Sequence, residues 1–238
     1  VKSSDHLWRY VFIYGLSTFV SNVSLYIKLN LGSITKYKLN LKRHIKPILV
    51  LFLPQLAISL YSFLDKLMIG WFIPDIRNVG FYDQTHKIIC MLLLFVTSFG
   101  SVMVSRLSNY KATNKDSSIV ELVYKSFNYI WFIIVPITLG IVAVADNLIP
   151  WFLGEQFLFV AKYLKCFAII IMFSGLFNVI GEQYLVVLKR EKEYTFILFV
   201  SSILNIVFNI PLILLWGVLG AIISSIIRKL QLSQKAKK

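Results

Sequence analysis

The sequence predicts an all-α, polytopic helical membrane protein, and three observations carry that expectation. Of its 238 residues, 58% are hydrophobic and 15% charged, whereas soluble domains lie nearer half and a quarter. The apolar residues gather into runs of about twenty, the length a helix needs to cross a hydrocarbon core of about 30 Å. The basic residues alternate: 18 of 25 fall in four alternate loops or tails, as six, four, three and five, against two in each of three intervening segments, with Lys66 inside an apolar run. Such asymmetry encodes membrane topology, so the net charge of +14 calls for no nucleic-acid partner. A soluble reading fails because too few polar residues remain to cover so many apolar helices.

Taken in order, the opening VKSSDHLWRY has neither an initiator methionine nor the features of a cleavable signal and is read as the start of a fragment. The first span covers Trp8 to Ile27 and feeds a basic loop, Lys28 to Lys46, which places that side in the cytoplasm. The second, Pro47 to Ile73, starts with a proline tolerated in a first turn and carries Pro54 within it, where a kink is expected. The connection 74 to 87 is mixed in charge and outer. The third span, Ile88 to Leu107, returns to the cytoplasm at Arg106.

Ser118 and Glu121 match a capping box, and Val120, Val123 and Phe127 repeat at helical spacing. They predict an amphipathic helix along the inner interface ahead of a fourth span, Tyr129 to Leu148. The fifth, Cys166 to Leu188, closes at the charged turn Lys189 to Glu193. A sixth, Tyr194 to Leu215, joins through Trp216 and Gly217 to a seventh apolar run that stops at Ile227. That run covers only about 17 Å. Six complete spans and one partial span are therefore expected, with the amino end outside. RKLQLSQKAKK reads as a truncated or frameshifted end.

Chemistry is sought where polar groups enter the apolar runs. On the second span Gln55, Ser59, Ser62 and Lys66 fall within about 60° of one another on a helix. Asp65 lies about 80° to one side, near Tyr61, which could donate its hydroxyl. Intramembrane charges cost roughly 2.5 to 3.5 kcal/mol each on insertion scales, and their default reading is a transport or relay role along a water-filled cavity. The competing reading is helix-helix packing plus an Asp-Lys contact. Ser174, Asn178, Gly181 and Glu182 make a second stripe on the fifth span, where Glu182 needs a partner. Asn205 and Asn209 are read as packing residues. Cys90 and Cys166 are apolar core residues. With no Cys/His metal spacing, glycine-rich phosphate loop or nucleophile elbow, no catalytic residue, metal or cofactor is expected.

The run LPQLAISLYSFLDKLMIG, then VGFYDQTHKI, SRLS, WFLGEQF and NIVFNIPLILLWGVLGAIIS, resembles in order the Wzx-type polysaccharide biosynthesis flippases of the multidrug/oligosaccharidyl-lipid/polysaccharide exporter superfamily. The resemblance implies a two-lobed transporter. It moves undecaprenyl-pyrophosphate-linked oligosaccharide across the bacterial plasma membrane for capsule, O-antigen or other surface polysaccharide, without enzymatic activity. Residues 1–46 then correspond to the last helix of the amino-terminal lobe and a cytoplasmic linker, and 47–238 to a truncated carboxy-terminal lobe, with five spans upstream. Asp65 matches the aspartate of a proline-tyrosine-aspartate helix, and Lys87 the lysine after a glycine-tyrosine motif.

Arg228 and Lys229 depart from the pattern, because family members continue an apolar helix there. Lys66, Lys87 and Arg106 are the expected pyrophosphate contacts, and Asp65, Tyr61, Gln55, Ser62, Glu182 and Asn178 the cavity or coupling groups. Partners are the lipid-linked oligosaccharide, membrane lipids and polysaccharide assembly proteins. Two alternatives stand beside this reading: a cation-coupled drug or lipid II exporter of the same superfamily, and a polytopic polysaccharide polymerase or acyltransferase.

Overall fold

A computed structural model describes residues 7–28, 41–113 and 116–235. The basic linker thus lies largely outside the described residues, as do the side chains of Gln55 and Tyr61. Among the described residues eight α-helices follow one another: α1 Leu7–Lys28, α2 Leu41–Phe72, α3 Arg77–Ala112, α4 Asp116–Leu153, α5 Leu158–Phe167, α6 Ile169–Phe177, α7 Glu191–Trp216 and α8 Val218–Lys235. A 3₁₀ turn, Glu155–Phe157, precedes α5, and a π-helical stretch, Asn178–Val186, continues α6. No strand occurs among the described residues. Four segments there are long and apolar enough to cross a membrane, at 77–112, 118–153, 169–186 and 191–216. The protein is an all-α, multi-pass membrane protein.

The chain divides into two units, Val1–Ile45 and Lys46–Lys238. In the first, α1 exposes apolar side chains all round, Val11, Phe12, Ile13, Leu16, Phe19 and Val20 among them. Such apolar side chains suit the hydrocarbon of a bilayer. Its Thr18 and Ser24 hydroxyls donate back to the Tyr14 and Ser21 carbonyls at 2.9 and 2.7 Å, so they bring no unmet polar group into that environment.

In the second unit the core joins α2, α3, α4, α5, α6 and α8 around side chains such as Ile69, Ile89, Ile134, Leu164, Ile171 and Ile222. Gly175 lets α6 lie close against Ile130 and Ile134 of α4. The outward faces keep large apolar groups, Phe95, Phe132, Phe196 and Leu214, as a lipid-facing surface must. One end gathers Phe81 and Phe157, with rings 5.9 Å apart, and Gly217 beside Ile73. The other gathers Leu107, Ile119 and Val187.

Several expectations change. The interfacial helix and the fourth span are one 38-residue helix, α4. It begins at Asp116, so Ser118 lies inside its first turn, and Glu121 pairs with Lys125 at 2.6 Å. Its inward residues are Ile119, Ser126, Ile130 and Ile134, while Val120 is exposed. The fifth span divides: Cys166 belongs to α5, and the backbone bonds of Ala168 and the π-helical register separate it from Leu188. The apolar run after Gly217 ends at Ile227, yet α8 continues through Arg228 and Lys229 to Lys235.

Candidate functional site

Asp65 is 1% exposed, which in a low-dielectric interior demands partners for its lone pairs. Three other helices supply them. The Asn209 amide of α7 donates to Oδ1 at 2.5 Å, and the Tyr82 hydroxyl of α3 and the Ser225 hydroxyl of α8 each donate to Oδ2 at 3.1 Å. Arg228, 4% exposed, acts on the same carboxylate through space. The expected donor on its own helix, Tyr61, has a side chain outside the described residues, so the partners described for Asp65 all come from other helices.

Local sequence explains the convergence. On α7, Ser201, Asn205, Asn209 and Ile213 recur every four residues and are all buried, one face of a helix. On α8, Ala221, Ser225, Arg228 and Leu232 follow a 4-3-4 spacing and are buried too. The two faces meet because Gly217, at φ 59°, makes the tight turn between the helices. Gly220 seats against the Leu212 backbone, where a Cβ would collide with the carbonyl. Asn205 donates to Ser224 Oγ at 3.0 Å, and Ser224 returns a bond to the Asn205 carbonyl at 3.1 Å. Asn209 also reaches Asn205 Oδ1 at 3.5 Å. A polar chain therefore runs from the α7–α8 seam to Asp65, and Asn209 does more than pack helices.

Beside Asp65 opens a cavity of about 320 Å³ that Ser59, Ser62, Tyr82, His86, Arg228 and Lys229 help to line. A second, of about 190 Å³, is lined in part by Thr97, Asn178, Glu182 and Tyr194. Leu93, Ser174, Arg228 and Lys229 border both. Ser62 of the predicted stripe faces the first cavity, and Glu182 and Asn178 face the second.

The π-helical register shapes that second cavity. Asn178 donates to Glu182 at 2.6 Å and accepts from Gln183 at 3.1 Å. Gly100 on α3 leaves room for the Asn178 side chain, which a Cβ there would overlap. Lys229 acts on Glu182 through space and lies 5.7 Å from the centre of the Phe177 ring. Each carboxylate is thus matched by a cation of α8.

The predicted cations are placed elsewhere. Lys66 and Lys87 share one carboxylate, Asp83, at 2.5 and 2.7 Å, and border neither cavity. Arg106 lies 19 residues beyond Lys87, roughly 28 Å along α3, in a separate groove with Lys125 and Tyr129. The three do not form one site. Arg228 and Lys229, read from sequence as the point where the pattern failed, are the cations that line the cavities. The available signal was the 4-3-4 spacing from Ala221 through Ser225 to Leu232. Among the described residues, no group of three or more His, Cys, Asp or Glu side chains is placed to hold a metal.

Comparison with known proteins bears on this arrangement. A stretch of 97 residues, 41% of this chain, is 23% identical to a Haloferax volcanii protein named a probable low-salt glycan biosynthesis flippase, and spans 20% of that protein's length. No solved structure matches. Residues 6–162 match the family model described as polysaccharide biosynthesis protein. The matched segment holds Asp65, Tyr82 and the Lys66–Asp83–Lys87 cluster, while Asn209, Ser225 and Arg228 reach Asp65 from beyond it. With well over half of its length matched, the chain belongs to the polysaccharide biosynthesis family of membrane proteins.

Proposed function

We propose that this protein translocates an oligosaccharide linked to undecaprenyl pyrophosphate across the bacterial plasma membrane, in the synthesis of a surface polysaccharide. The observation that carries the reading is the pair of adjoining cavities among the helices, whose largely apolar walls each carry one carboxylate and are both bordered by Arg228 and Lys229. A pyrophosphate needs cations, and these two can exchange a carboxylate partner for phosphate oxygens. Among the described residues the Ser174 hydroxyl at the shared border has no hydrogen-bond partner and is available to a sugar hydroxyl. Lys66 and Lys87, held by Asp83, form a second cationic group toward the end marked by Ile73. No bond is made or broken, so the protein acts as a transporter rather than an enzyme. Asp65 and Glu182 are the groups whose charge balance with α8 changes when substrate enters.

The test is transfer of lipid-linked oligosaccharide between leaflets of proteoliposomes, read by an impermeant glycosidase. Asp65→Asn and Lys229→Gln are each expected to slow transfer at least tenfold, the effect of losing one charge-assisted contact. Arg190→Gln, outside the cavities, keeps the native rate. No transfer above protein-free vesicles would overturn the flippase reading. Native rates in both cavity variants would overturn the site while leaving the activity.

A further inference from the structure

The geometry points to a binding site for one anionic glycerophospholipid of the surrounding bilayer in the groove between α3 and α4. The lipid phosphate lies on the Arg106 guanidinium, and an acyl chain runs along Met103 and Val102 to the paired rings of Phe99 and Tyr129. The groove has a volume of about 300 Å³, and none of its lining residues borders either polar cavity. It is therefore independent of the transport reading.

Order along the groove matches the order of groups in a phospholipid. Arg106 lies where the apolar run of α3 gives way to LSNYKA, and Lys125 and Ser126 lie just before the apolar run of α4 begins. If those runs span the hydrocarbon, both cations sit at headgroup level. Phe99 is seven residues further in, roughly 10 Å along the helix, and stacks on Tyr129 with ring centres 5.4 Å apart and planes 12° from parallel. Between these ends the α3 wall is apolar, formed by Met103 and Val102. Met103 and Ser126 are buried in its floor, and the Ser126 hydroxyl is already spent on the Leu122 carbonyl at 2.9 Å.

Charge selects the headgroup. Lys125 is neutralised by Glu121 at 2.6 Å. Among the described residues, Arg106 pairs with no carboxylate. The groove thus offers one unneutralised guanidinium, whose planar fork suits two phosphate oxygens. A headgroup bearing its own ammonium would set a second cation beside Arg106 and Lys125, so an anionic lipid is preferred over a zwitterionic one.

The experiment uses the purified protein in nanodiscs of equimolar phosphatidylglycerol and phosphatidylcholine with identical acyl chains, and counts by native mass spectrometry the lipids retained on release. Phosphatidylglycerol is expected to be retained as a single copy, and Arg106→Gln to cut that retention about tenfold, one charge-assisted contact. Met103→Trp, which fills the groove while keeping every charge, is expected to do the same. Lys192→Gln, a basic residue outside the groove, keeps the wild-type value. Equal losses in Lys192→Gln and Arg106→Gln would mean diffuse attraction and overturn the site, as would unchanged retention in Met103→Trp. Displacement of phosphatidylglycerol by equimolar undecaprenyl phosphate would also overturn it, assigning the groove to the carrier lipid instead. Inorganic phosphate at the same concentration is expected to displace nothing, because without an acyl chain it leaves the apolar part unfilled. Displacement by it would reduce the site to a simple anion contact.

Discussion

Asp65 and Arg228 show how one residue's meaning depends on partners distant in sequence. Where two buried opposite charges compensate each other, removing either strands the other, at a typical cost of about 3–5 kcal/mol, whereas replacing both with apolar groups is often near neutral. Asp65→Leu and Arg228→Met are each expected to destabilise the protein by that amount in detergent. The double variant should recover much of the loss, and additive losses in a double-mutant cycle would refute the pairing. The sequence showed that Asp65 needed compensation, but its helical angle pointed to Tyr61. Tyr82, Asn209 and Ser225 lie 17, 144 and 160 residues away, and no periodicity within one helix reports them. Arg228 was hidden for a different reason: hydropathy falls at that point, although the 3.6-residue repeat does not.

At the scale of elements, the π-helical stretch and Gly100 form one device. An i→i+5 ladder brings Asn178, Glu182 and Gln183 onto one side, and Asn178 fits there because Gly100 has no side chain. Gly100→Ala is expected to push Asn178 off its two hydrogen bonds and cost about 1–3 kcal/mol, the penalty of leaving buried polar groups unmet. Asn178→Ala in the Gly100→Ala background should cost no more than Asn178→Ala alone. Thermal denaturation of the three variants checks this, and independent losses would separate the two residues. Apolar runs marked where most helices lie, because burial in lipid writes them into composition. They did not mark the change from α to π register, nor the fusion of the expected interfacial helix with α4, since both arise from tertiary contacts on a continuous helical pattern.

For the whole molecule, the ends defined by Ile73–Phe81–Phe157–Gly217 and by Leu107–Ile119–Val187 imply opposite faces of the membrane. In a protein with Cys90 and Cys166 replaced by alanine, Asp75→Cys is expected to react with an impermeant maleimide added outside intact cells. Thr113→Cys and Lys192→Cys are expected to react only after permeabilisation. Labelling of all three from one side would overturn the helical topology, and the reverse pattern would overturn the orientation read from the basic loops. The basic loops set that expectation because charge in loops follows insertion, not packing. Which cations face the cavities was not legible, because it depends on how α8 docks against α5, α6 and α7.

The hydrogen bonds of Asp65 also set a timetable. A ribosome adding about 5–20 residues per second needs roughly 7–29 s after making Asp65 to reach Asn209, 144 residues later. Ser225 and Arg228 follow. Through that interval α2 must enter the bilayer with Tyr82, only 17 residues downstream, as the one member of the set already synthesised. Assembly of the cavity therefore waits for α7 and α8, and α2 holds Asp65 without most of its partners until they arrive.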